Sequence, residues 1–172
     1  MRLQEYYKFW SMVDENNYIN GINEAIDLTT VVKRKGKNEW YFWVGKDYYT
    51  VNVFHKGNKV YHLSFTYNDP TGSTLANITN KHTPFSVMDG VAVVMKELIE
   101  TIRPKAIEYY IFAEKRKIDM FRKISKYILK KHTDVFKGYA YAERKKSLPY
   151  ELPDDIENEI NGIEIRLERS KK

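Results

Sequence analysis

The sequence predicts one α+β domain: a mixed, mostly antiparallel sheet with two main helices. Three observations lead there. Between residues 39 and 67 three β-rich runs alternate with short Gly-containing turns, the pattern of antiparallel hairpins. Two later segments, 85–102 and 115–131, repeat apolar residues at helical spacing. Strand-like runs follow each of them, at 106–112 and 138–143, and another closes the chain at 162–167. The 172 residues are enough to bury roughly 70% of the surface an unfolded chain exposes, so the core needs no staple.

Along the chain, residues 1–26 read as a short helix to about Val13 and then a loop. A β-branched run, Leu28–Arg34, opens a meander over 28–67 and stops at Lys35-Gly36-Lys37. Glu39–Val44, Tyr48–Phe54 and Val60–Tyr67 are its strands. Alternation in Tyr49–Phe54 and Tyr61–Thr66 gives the sheet one buried face. Asn68–Thr83 is a turn-rich loop, and loops of that length are often functional.

Thr83-Pro84 then suits a helix cap and first helical position. In the helix that follows, Val87, Val91, Val94, Leu98 and Ile102 form one stripe. Met88, Ala92, Met95 and Ile99 form a second, so both sides should be covered. Gly90 inside it costs about 1 kcal/mol relative to alanine, which points to close packing. Arg103-Pro104-Lys105 ends the helix. In 115–131, Ile118, Phe121, Ile124, Ile128 and Leu129 share one arc; Lys115, Arg116, Arg122, Lys123, Lys126 and Lys130 share the next, interrupted by Asp119. The segment 150–172 is acidic before its final strand.

Composition bounds the function. With no cysteine there is no disulfide, thiol nucleophile or cysteine-ligated metal, and His55, His62, His82 and His132 do not form a local metal motif. No uncharged run approaches about 18 residues, which predicts a soluble, cytoplasmic protein without signal peptide or membrane span. Lys and Arg outnumber Asp and Glu 29 to 23, giving a net charge of +6, an excess that permits contact with an acidic partner without establishing one. Phosphate-loop and nucleophile-elbow motifs are absent.

The helix cations either neutralise nucleic-acid phosphates, extended by Lys33, Arg34, Lys35, Lys37 and by Arg144, Lys145, Lys146 if folding gathers them, or form a solvated face. The aromatic run Trp40–Trp43 with Tyr48 and Tyr49 either packs the core or stacks on bases. Glu108 is expected to face outward on its strand; as a general base it would compete with Asp69. Tyr109 and Tyr110 must face opposite sides. His55 and His62 read as cross-strand neighbours without a metal role.

The order of elements, and the stretch Ile102–Glu143, resemble the GNAT-type acyltransferase fold. More closely, Tyr49–Phe54, Thr79-Asn80, Phe85-Ser86-Val87, Pro104-Lys105-Ala106-Ile107 and Arg116–Phe121 resemble a group of short phage-encoded proteins with a GNAT-like core. The resemblance covers residues 39–143. It implies acetyl-CoA held at a helix N-terminus, here by Thr83, Phe85, Ser86 and Val87. The chain departs from that family's catalytic pattern twice. The turn before the helix lacks the glycine pair and has Pro84, and Phe121 stands where a proton-donating tyrosine is usual. The expected function is therefore a non-catalytic accessory protein without a cofactor, binding a host protein or nucleic acid in the host cytoplasm through the basic helix face and the loop at 68–84. An N-acetyltransferase with a divergent pyrophosphate site is the alternative.

Overall fold

In a computed structural model, residues 26–45, 47–68, 74–75, 84–147 and 160–171 are described. The elements are β1 (Lys33–Arg34), β2 (Glu39–Val44), β3 (Asp47–His55), β4 (Val60–Asn68), β5 (Thr74–Leu75), α1 (Pro84–Thr101), β6 (Ala106–Glu114), α2 (Lys115–Lys131), β7 (Tyr139–Lys145) and β8 (Ile160–Arg169). The protein is thus α+β. Hydrogen bonds link the strands in the order β1-β2-β3-β4-β6-β8-β7, with β5 paired to β4. Only β4 with β6 is parallel among the pairings with a described register. The helix expected before Val13, the acidic stretch after Pro149 up to residue 159, Asp69 and Thr83 lie outside the described residues.

The chain divides into two compact units, Met1–Val53 with Ser64–Glu97, and Phe54–Leu63 with Leu98–Lys172. In the first, β2 and β3 pair from Glu39↔Asn52 to Val44↔Asp47, and Gly45 at φ +60° supplies the turn. Alternation sends Trp40, Phe42, Tyr49, Val51 and Val53 into the core with Val87, Met88, Val91, Ala92, Val94 and Met95 of α1. Phe42 stacks on Tyr49 at 5.6 Å. A Cβ on Gly90 would lie 2.5 Å from the Phe42 ring, so this glycine is the space the ring occupies. The Trp40 indole N–H donates to Glu97 Oε2 at 3.0 Å. Buried Asp89 accepts from the Leu28 amide at 2.7 Å, the Thr30 amide at 2.9 Å and the Thr30 hydroxyl at 2.5 Å, clamping the segment before β1.

The second unit is centred on β6. Its first residues pair in parallel with the tip of β4, Val60↔Ala106 to His62↔Glu108. Its whole length pairs antiparallel with β8, which in turn pairs with β7. The expected closing strand is therefore longer than 162–167 and lies inside the sheet, between β6 and β7. Helix α2 packs on these three strands, burying Ile118, Met120, Phe121, Ile124 and Ile128 with Ile107, Tyr109, Ile111, Ile163, Ile165 and Leu167. The Tyr109 hydroxyl meets Ser125 Oγ inside this core, and burial pushes the phenol up. Arg103 takes a left-handed φ of +53°, which with Pro104 ends α1.

Four expectations are corrected here. Ile102 lies past the helix end and is exposed rather than covered, and Leu129 is half-buried at the edge of its arc. The loop at 68–84 contains a strand, since Thr74–Leu75 pairs with Tyr67 and Asn68. His55 and His62 are not neighbours: the ring of His55 stacks on Tyr61 and that of His62 lies by Phe54, so the two histidines face opposite sides of the hairpin.

Candidate nucleic-acid interface

Three elements of the second unit meet at a basic groove. Helix α2 begins with Lys115; β7 ends in Arg144-Lys145, followed by Lys146; Asn161-Gly162-Ile163 follow the first residue of β8. The register Arg144↔Glu164 and Lys145↔Ile163 sets the cationic end of β7 beside β8. The Lys146 amide continues the ladder by donating to the Gly162 carbonyl at 3.0 Å. Gly162 makes this approach possible, because a Cβ there would lie 2.1 Å from the Lys146 carbonyl oxygen.

The open groove has a volume of about 570 Å³ and is lined by Lys115, Arg122, Arg144, Lys145 and Lys146, with Glu143 as its carboxylate. That carboxylate is already engaged. Arg122 Nε donates to Glu143 Oε2 at 2.8 Å and Arg122 NH1 to Asp119 at 2.7 Å, while the Tyr141 hydroxyl also donates to Glu143. Burial pushes the Glu143 carboxyl up, but the bonds from Tyr141 and Arg122 outweigh it and hold it below the usual carboxylate range. Glu143 stays ionised and offsets Arg122, so among the described residues Lys115, Arg144, Lys145 and Lys146 set the sign of the groove.

The basic arc read from the sequence is thereby divided. Lys115 and Arg122 join Arg144–Lys146, as the sequence allowed if folding gathered them. Lys123, Lys126 and Lys130 are exposed farther along α2 and do not line the groove. Lys126 sits 4.9 Å from the Tyr141 ring centre. The side chain of Arg116 and the expected cofactor residue Thr83 lie outside the described residues. Phe85 and Val87 are packed in the core and Ser86 is half-buried.

Sequence reasoning missed a second cluster in the same unit. Glu108 does not face outward; it is fully buried. Its Oε1 accepts from Lys56 Nζ at 2.5 Å and from the Tyr110 hydroxyl at 3.2 Å, and its Oε2 from Arg166 NH1 at 3.0 Å. Arg166 also donates to Glu164 at 3.1 Å, and its Nε lies 2.9 Å from Glu168 in an ion pair too bent for a hydrogen bond. The Tyr110 ring lies 4.2 Å from His62 and 4.2 Å from Lys146 Nζ, so Lys146 touches groove and network alike. Burial pushes Glu108 up, but the bond and charge of Lys56 and the charge of Arg166 more than offset it, leaving the pKa low. A carboxylate so neutralised is a weak proton acceptor, which argues against the general-base role.

His62 Nδ1 is buried without a hydrogen-bond partner, 3.6 Å from Glu108 Oε1. Burial lowers its pKa below 6.5, the attraction of Glu108 notwithstanding; Lys56, Glu164 and Tyr110 are the other groups around it. Its folded form is neutral while the unfolded chain takes up a proton, so stability should fall as pH drops through about 6.5. A second loss should follow below about 4.5, as Glu108 protonates. Unfolding midpoints recorded from neutral to acid pH should show both steps. His62→Gln should erase the upper one alone, and its persistence in that variant would refute the assignment.

No family model matches the chain, and no curated protein matches it. Among the described residues no group of His, Cys, Asp and Glu is placed to hold a metal. No helix among them is long and apolar enough to cross a membrane.

Proposed function

We propose that this protein is a GNAT-like, phage-encoded accessory protein that binds the host's nucleic acid through its backbone phosphates without catalysing a reaction. The observation that carries the reading is the groove at the start of α2. Among the described residues five cations surround one concavity whose carboxylate is already tied to Arg122, an arrangement suited to a chain of phosphates. Support for the GNAT-like core comes from the order of elements, in which α1 links β4 to the parallel strand β6 and α2 then leads to β7. The non-catalytic reading is supported by Phe121, whose ring is core, and by the ion-paired state of Glu108.

The test is the salt dependence of binding, read by fluorescence anisotropy of a labelled oligonucleotide. Joint replacement of Lys115, Arg144 and Lys145 by glutamine should flatten the log–log salt slope by about 2. An unchanged slope removes the groove from the interface, and an acidic protein would then be the partner to seek. Calorimetric titration with acetyl-CoA addresses catalysis: single-site heat would overturn the non-catalytic reading.

A further inference from the structure

We infer that the first unit carries a stacking platform for unpaired bases, which makes single-stranded nucleic acid the ligand class; this rests on the nucleic-acid reading above. The platform is the face of the β2–β3 hairpin opposite its core. Alternation that buries Trp40, Phe42 and Tyr49 on one face leaves Tyr41, Trp43 and Tyr48 on the other. Tyr48 is the middle ring, 5.0 Å from Trp43 and 5.5 Å from Tyr41, each tilted by about half a right angle. Trp43 is 57% exposed, and Tyr41 and Tyr48 are half-buried. Holding an indole that far out of the core gains little for the fold, while its neighbour Tyr48 keeps it oriented. A pre-oriented ring with a wet face is what a base can stack on at small entropic cost.

Charge selects this occupant over an apolar one. Lys33 is the Cα partner of Tyr41 across the β1–β2 pair, and Arg34, Lys35 and Lys37 follow it in the same turn. The acid of this turn, Glu39, is paired with Lys35 at 3.5 Å. Arg34 donates to the carbonyls of Gly36 and Lys37 and lies 5.0 Å from the Trp40 ring centre, on the other face of the hairpin. Rings with Lys33 beside them and Lys37 in the adjoining turn match bases joined by phosphates. A duplex keeps its base faces stacked inside, so it cannot use the rings.

The experiment compares binding of a labelled oligo-dT of about 12 nucleotides with that of a duplex of equal length. Trp43→Ala should weaken oligo-dT binding by about tenfold at every salt concentration, leaving the salt slope and duplex binding unchanged. Trp43→Phe, which keeps a ring against Tyr48, should retain most of the affinity and guards against a folding defect in the alanine variant. Full oligo-dT affinity in Trp43→Ala, or equal losses on single strand and duplex, would overturn the platform. If the groove variant still flattens the slope in that case, the proposed function stands and this inference alone falls. If the wild-type protein binds neither oligonucleotide, both fall.

Discussion

Glu108→Ala should destabilise the protein by about 3–5 kcal/mol, the usual consequence of removing one member of a buried ion pair. The variant leaves Arg166, only 15% exposed in its side chain, without one of its carboxylates, and leaves the Tyr110 hydroxyl without its acceptor. Lys56 contributes less, because its side chain is 44% exposed and can turn to water. Glu108→Gln keeps an acceptor oxygen and should lose less. Urea unfolding of the three proteins measures the series. A loss below about 1 kcal/mol for the alanine variant would show that the two cations relax into solvent and that the network is not a keystone.

Gly162→Ala should destabilise by about 3 kcal/mol, lowering the midpoint of thermal unfolding by about 6–12 °C. The added methyl would meet the Lys146 carbonyl oxygen at 2.1 Å and the Phe112 ring at 2.9 Å. A side-chain tip can swing away from such a contact, but a backbone carbonyl in a ladder cannot. The end of β7 should lift from β8 and carry Lys145 and Lys146 with it, so groove binding weakens in the same variant. Asn161→Ala, at the exposed neighbouring position, is the control for stability and should leave the unfolding midpoint unchanged. Equal stability of Gly162→Ala and wild type would mean that this end of the sheet yields freely.

What could be read from the sequence was what neighbours along the chain decide. Gly45-Lys46-Asp47 and Lys56–Lys59 mark turns locally in the sequence, so β2, β3 and β4 emerge within a residue or two of their ends. Helix α2 is delimited as read, because its apolar residues recur at the period of a helix packed on one side. Buried charge was not legible. In AIEYYIF nothing distinguishes Glu108 from an outward-facing strand residue, because Lys56 and Arg166 lie 52 and 58 positions away. Asp89 reads as an ordinary helix residue until Leu28 and Thr30, about 60 positions earlier, donate to it. The groove was half legible: its cations are visible as Lys115, Arg122 and Arg144–Lys146, but the offset of Arg122 by Glu143 requires the fold. His55 and His62 show how one step of register exchanges the two faces of a strand.

Strand β7 is the outermost of its end of the sheet among the described strands, and such a strand presents one row of unpaired amides and carbonyls. An open row of this kind invites a second chain to add itself, strand by strand, toward a fibre. Here Glu143, Arg144 and Lys145 are exposed along its last residues, and two copies brought together there would set lysine and arginine against their own kind. The charges proposed above as a place for phosphates therefore also work against in-register addition of a second copy at this edge.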